Sequence, residues 1–272
     1  MKNSLGWQNF AKEIQQKQSL IDLGKASLYY AQAEYPELDH EHYLGLLDVW
    51  AKEIATSLTS ERYPLQVIKT INQYLFGNLG FVGDNQDYYN TENSYLNRAI
   101  DRKKGIPITL AVIYLEIARR IDFPMVGIGM PGHFLIRPDF TDAGIFVDAF
   151  NQGEILFPQD CKTKLSQLYQ YPVKLEPHFL NPVSKHQILG RMLNNLKQIY
   201  LHQRNLEKVL ELVEAILILF PYNPYEIRDR GLLLYEMARW PEAAKDLQNY
   251  LDSIPDAEDA PMIQMLLSKI SN

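Results

Sequence analysis

Apolar residues recur at mixed three- and four-residue spacings through the first 120 or so positions. They gather into short β-branched and aromatic runs between residues 125 and 157, and return to helical spacing from about residue 185 to the end. Leu20, Leu23, Ala26, Leu28 and Ala31 predict an amphipathic helix over 20–34, and Tyr43, Leu46, Leu47, Trp50, Ile54 and Leu58 a second over 39–58. Pro36 stops the first and Asp39 caps the second. Pro64 opens another helix, with Val67, Ile68, Ile71, Leu75 and Phe76 on its apolar side. The run GNLGFVGDNQDYYN, residues 77–90, predicts a long ordered loop that must bury Phe81, Tyr88 and Tyr89. A short helix follows over 94–102 with Ser94 as its cap. A longer one follows over 107–122, where Pro107 suits the first turn.

The period then changes. MVGIGM (125–130), HFLIRP (133–138), GIFVDAF (144–150) and EILF (154–157) read as antiparallel strands joined by hairpins, with a longer loop around 139–143. A helical half followed by a strand meander gives an α+β fold, with N-terminal helices packed on a small antiparallel sheet. In the helical remainder, Pro221 and Pro255 lie one tetratricopeptide period of 34 residues apart. That shift aligns Leu206 with Trp240, Val209 with Ala243 and Val213 with Leu247. Gly231 and Ala243 supply the small residues that let two helices approach, whereas Lys197 stands where the first unit should have its glycine. A plain pair of helical hairpins is the alternative. Two units rarely stand free, so they should dock on the core or stack with a terminal helix near 258–271. The expected organisation is a core over 1–180 and a helical repeat region over 181–272.

Charge and composition narrow the chemistry. The net charge of −6 lacks the footprint of a nucleic-acid binder, and Arg102-Lys103-Lys104 reads as a solvated helix end. The longest apolar stretch, 215–220, is far too short to cross a membrane, and MKNSLGWQNFAKEIQQ has no signal-peptide pattern. A single cysteine, Cys161, allows neither an internal disulfide nor a cysteine metal site, which fits a reducing, cytoplasmic setting. The acidic, amide-rich stretch 84–90 lacks the terminal glutamate of a calcium loop. No phosphate-cradling glycine motif occurs, and no cofactor or metal is expected.

Several segments in order carry a family resemblance: YPELD (35–39), LFGNLGFVGDNQDYYN (75–90), NSYLNRAIDRKKGIPITL (93–110), PGHFLIR (131–137) and FVDAF (146–150). Across roughly half the chain, from about 20 to 163, the sequence resembles the SirB-type transglutaminase-like family of bacteria, whose members often carry tetratricopeptide-like helices after the core. The resemblance implies a papain-like arrangement: a cysteine at a helix N-terminus, a histidine base on one strand and an aspartate on the next. His133 and Asp148 match the histidine and the aspartate. A buried histidine merely satisfied by a carboxylate is the plainer reading of the same pair. At the nucleophile position stands Gly105-Ile106-Pro107-Ile108-Thr109, with no cysteine. Thr109 reads as a helix-turn residue and Cys161 as a small core residue.

Asn93, Asn97, Arg98 and Arg137 also fall on family-like positions and, with Thr109, are candidates to line the pocket. Strand alternation would put Arg137 on the face of His133, where it could meet an anionic group or pair with Asp139 or Asp101. Without a thiol the covalent step has no beginning. The expected function is therefore a non-catalytic protein-interaction or scaffold role, with a regulatory role through a protein partner left open and a protein or peptide bound by the helical repeats. The alternative is a hydrolase or acyl-transfer enzyme using His133 and Asp148 with a different nucleophile.

Overall fold

The computed structural model describes residues 4–140 and 144–270. The chain divides into two compact units between Met192 and Leu193, whereas the return to helical spacing along the sequence suggests a boundary at 180/181.

The first unit opens with α1 (Leu5–Ile14), which the sequence pattern does not announce. Its apolar content is concentrated in Trp7, Phe10 and Ile14, all buried. It lies so close to α2 (Leu23–Glu34) that a Cβ on Gly6 would come within 2.5 Å of Ala33 N and Tyr29 O. Helix α2 begins three residues later than its apolar pattern because Asp22 caps it, accepting from Lys25 N at 2.9 Å. Asp39 caps α3 (His40–Ser57) by accepting from Glu41 N and His42 N. Pro64 opens α4 (Pro64–Asn72), which passes into a π-helical turn, Gln73–Asn78.

The loop after it buries Phe81 at 1% exposure but leaves Tyr88 at 37% and Tyr89 at 72%, so the expectation that all three aromatics are buried holds for Phe81 alone. Within it β1 (Val82–Gly83) pairs in parallel with β2 (Lys104–Gly105). Helix α5 (Leu96–Arg102) starts after Tyr95, and Ser94 does not cap it: its hydroxyl is buried with no hydrogen-bond partner among the described residues. Helix α6 (Pro107–Arg120) is buried along nearly its whole length and forms the centre of this unit's core.

Against it lies an antiparallel sheet of β3 (Met125–Ile128), β4 (Leu135–Pro138), β5 (Phe146–Asp148), β6 (Glu154–Leu156) and β7 (Pro182–Val183), in the order β6-β5-β4-β3-β7. The first four are the strands the sequence predicts. The edge strand β7 carries no sequence signal, since a two-residue strand led by proline has no period. The predicted loop around 139–143 lies partly outside the described residues. Helix α7 (Pro158–Tyr169) follows β6 and packs Cys161 and Leu165 into a cluster with Ile128, Met130, Leu135, Phe146 and Leu156.

The unit boundary falls inside α8 (Lys185–His202). The second unit continues through α9 (Leu206–Leu219), α10 (Pro224–Glu236), α11 (Trp240–Ser253) and α12 (Ala260–Ile270). Helices α10 and α11 cross where a Cβ on Gly231 would meet Leu247 Cδ2 at 2.8 Å, the close approach that the repeat spacing implies. Val209, Val213, Ala243 and Leu247 are buried, whereas Trp240 is 53% exposed. Helix α12 supplies the terminal layer, packing Ala260 and Ile263 against Leu247, Tyr250 and Leu251.

Lys197, at the first unit's missing glycine, is 5% exposed and bonds Glu226 Oε2 at 2.7 Å and Asp229 Oδ2 at 2.8 Å. A buried ammonium needs such partners, and removing it strands their charge. Both carboxylates retain some solvent, and Arg228 also bonds Asp229. Lys197→Met is therefore expected to lower stability by about 2 kcal/mol. Urea denaturation followed by helical circular dichroism checks it.

Candidate functional site

His133 and Asp148 come from two differently built places. Pro131-Gly132 turns the chain, with Gly132 at φ +72°, and His133 N donates to Met130 O at 3.1 Å. His133 therefore lies in the turn, two residues ahead of β4, and not on the strand. Arg191 secures that turn by donating to Met130 O at 3.3 Å and to His133 O at 2.9 Å. Asp148 ends β5 and caps the short 3₁₀ turn Ala149–Asn151, its Oδ1 accepting from Phe150 N and Asn151 N. Across the β4–β5 ladder Ile136 pairs with Val147, so the two functional candidates do not oppose each other in the sheet.

Their side chains nevertheless meet. His133 Nε2 lies 2.7 Å from Asp148 Oδ2, with His133 6% exposed and Asp148 fully buried. The same oxygen accepts from Lys164 Nζ at 2.7 Å and from Asn151 Nδ2 at 2.8 Å. Lys164 also reaches Glu154 Oε2 at 2.8 Å. Sequence reasoning missed both Lys164 and Asn151. Asn151 had a local signal, since an Asn three residues after an Asp at a strand end suits an Asx-type turn. Lys164 had none.

Burial alone would push the Asp148 carboxyl up. The bond and charge of His133, with the bonds from Lys164 and Asn151, outweigh that and hold it well below the ordinary carboxylate range. A depressed carboxylate stabilises the fold above its unfolded value of about 3.9, and that contribution is lost as pH falls toward the folded value. The stability gap between the wild type and Asp148→Asn is thus expected to narrow as pH drops from about 5 to 2. Denaturant titrations of both chains across that range read it directly.

An aromatic wall completes the site. The Phe150 ring meets His133 edge-to-face at 6.3 Å between centroids, and Tyr88 meets Phe150 at 6.0 Å. A Cβ on Gly83 would come within 2.6 Å of Phe150 O, so β1 must carry glycine there to lie against the 3₁₀ turn.

The other candidates do not join this hydrogen-bond network. None of Asn93, Asn97, Arg98, Thr109 and Arg137 is hydrogen-bonded to His133 or Asp148. Asn93 Nδ2 donates to Asp84 Oδ2 and Asp87 O, and its Oδ1 accepts from Arg102. Arg98 donates to Glu92 at 2.5 Å and lies 3.5 Å from Asp101. Asn97 Oδ1 and Thr109 Oγ1 are buried without partners among the described residues. Arg137 donates to the carbonyls of Pro138 and Phe140, rather than pairing with Asp139 or Asp101. The alternation argument fails for it because His133 is not in the strand. In the basic run, Arg102 is held by Asp84, Asn93 and Glu92, and Lys103 Nζ lies 4.3 Å from the centre of the Trp50 ring.

Among the described residues, no hydroxyl or thiol is hydrogen-bonded to the His133 ring. Pro107 and Ile108 occupy the first helical positions of α6, where the nucleophile is expected. Cys161 is packed in the apolar cluster of α7, and burial pushes its thiol up to about 11, so it is protonated at neutral pH. The described residues contain no cluster of histidine, cysteine and carboxylate able to hold a metal ion, and no helix long and apolar enough to cross a membrane.

A family model for the transglutaminase-like superfamily matches residues 41–194, more than half of the chain, and one for the tetratricopeptide repeat matches 196–268. The chain belongs to the transglutaminase-like superfamily, with tetratricopeptide repeats after the core. It is 32% identical over 256 residues to a UPF0162 protein of Xylella fastidiosa strain 9a5c, covering 93% of this chain and 91% of that one. A UPF0162 protein of Vibrio cholerae is 28% identical over 253 residues, 93% of each chain. F-box only protein 21 of Mus musculus is 27% identical over 189 residues, 65% of this chain but 29% of that protein. No solved structure matches.

Proposed function

We propose that this chain is a non-catalytic transglutaminase-like protein that works as an interaction or scaffold module, binding a protein or peptide through its C-terminal repeats. The observation that carries this reading is the absence of any thiol or hydroxyl bonded to His133 among the described residues, in a core whose family chemistry begins with such a group. The repeat unit supports it with a cavity of about 740 Å³ bordered by Leu217, Tyr222, Ile227, Arg230, Glu242 and Lys245. Tyr222 stands 93% exposed at its edge, the kind of aromatic that anchors a partner.

Cross-linking with the full-length chain, read by mass spectrometry, tests the proposal. Partners held by the wild type and by His133→Ala should be lost from the double variant Tyr222→Ala, Lys245→Glu. Identical capture by all three would remove the repeats from the account.

One observation favours a second reading, hydrolysis or acyl transfer: the 2.7 Å bond between His133 and Asp148. Turnover of an ester or amide probe that disappears in His133→Ala would establish it and displace the first.

A further inference from the structure

A cleft of about 710 Å³ opens between the end of α3 and α4, within the size range of small-molecule sites. Gln66, Lys69, Thr70 and Gln73 line it at three- and four-residue spacings, so one face of α4 forms its wall. Tyr63 and Leu65, 62% and 42% exposed, border it, and Ile54 and Ser57 supply the α3 side. The π-helical turn adds a further member. In an α-helix the next residue on the face of Gln73 would be Gly77, which has no side chain. The turn's i→i+5 pattern, seen in the bond from Leu79 N to Tyr74 O at 2.9 Å, brings Asn78 round instead. Gln73 Nε2 donates to Asn78 Oδ1 at 3.3 Å, and both side chains line the cleft. Turns of this kind at the end of an α-helix are frequent at functional sites.

The charge of this lining has one sign. It holds one cation, Lys69, and no carboxylate, in a chain whose net charge is −6. Among the described residues the Lys69 ammonium, the Gln66 amide and the Tyr63 hydroxyl make no hydrogen bond, and Asn78 keeps its Nδ2 donor free. Glu53 bonds one lining side chain, accepting from the Tyr74 hydroxyl at 2.5 Å, and so already has a donor. The cavity beside Tyr222 differs. There Arg230 and Arg239 are each taken up by a carboxylate of the same lining, Asp246 and Glu242.

We propose that the cleft binds a small organic acid. Lys69 and the amides of Gln66 and Asn78 meet its anionic group, and its apolar body lies against Tyr63 and Leu65. A carboxylate has the lone pairs to accept from several of these donors at once and brings the charge that Lys69 lacks. A neutral ligand leaves the ammonium unpaired, and a cationic one is repelled by it. The inference uses neither His133 and Asp148 nor the repeats, and so stands apart from the proposed function.

Proton–nitrogen-15 NMR of the full chain at low ionic strength tests this with two probes, phenylacetate and its uncharged counterpart phenylacetamide. Phenylacetate should move the backbone amide signals of residues 63–78 saturably, and phenylacetamide should bind there more weakly. Lys69→Gln should weaken phenylacetate by roughly a factor of five, the upper range for an exposed ion pair, and leave phenylacetamide unchanged. Lys52→Gln, which removes an exposed lysine of α3 outside the lining, should change neither. Tyr63→Ala should weaken both probes, and added salt should weaken phenylacetate alone. Equal affinity for the two probes, or an equal loss in Lys52→Gln, would overturn the anionic assignment. Tyr63→Ala without effect would remove that ring from the site. No saturable shift within residues 63–78 with phenylacetate would overturn the site itself.

Discussion

Replacing Asp148 by alanine is expected to cost the fold about 3–5 kcal/mol, the range for removing one partner of a buried ion pair. The carboxylate accepts five hydrogen bonds, three on Oδ2 and two on Oδ1. Truncation leaves the Lys164 ammonium with Glu154 as its one remaining carboxylate, strips Nε2–H of His133 of its acceptor and uncaps the 3₁₀ turn at Phe150 and Asn151. Water can reach Lys164, whose side chain is 17% exposed, which keeps the cost below that of a sealed cation. For a unit of this size the loss corresponds to a fall in Tm of roughly 10 °C. Calorimetry of the full chain would show it as a shift of the core's transition. A loss under about 1 kcal/mol would mean that the network is held together by its surroundings and not by this carboxylate.

The second large effect lies beside it. Gly153 has φ +76°, and an added Cβ would come within 2.2 Å of Asn72 Oδ1. Asn72 cannot yield cheaply. Its Nδ2 donates to Gly153 O at 2.7 Å, and its Oδ1 accepts from the buried Tyr114 hydroxyl at 3.1 Å. Gly153→Ala thus combines a left-handed backbone penalty of about 1 kcal/mol with the loss of one or both buried bonds, each costing about 1–1.5 kcal/mol. A total near 3 kcal/mol is expected from denaturant unfolding. Adding Asn72→Ala to Gly153→Ala should recover part of it by removing the obstacle. A double variant no more stable than Gly153→Ala alone would refute the clash as the cause.

How much of this was legible in the chain varies with the kind of interaction. Apart from α1 and α7, the helices were legible because amphipathic spacing and local caps such as Asp39 act over a few residues, and the core strands because short β-branched runs end at turn residues. The apolar pattern that begins at Leu20 places the start of α2 three residues too early, because Asp22 caps the helix. His133 and Asp148 were legible only through their surrounding motifs, since 15 residues separate them and no periodicity links a turn to the end of a strand.

The sequence by itself determined the helical–strand–helical order, the repeat period after the core and the lack of a thiol where α6 begins. These follow from residue identity and from spacings within one or two turns of chain. Only the tertiary structure decided that Lys164 and Asn151 share an oxygen with His133, that Tyr88 and Tyr89 stay exposed, and that Asn72 forbids a side chain at position 153. Each of those depends on where separately formed elements come to rest, and hydrogen bonding across 16 or 81 residues leaves no local pattern to read.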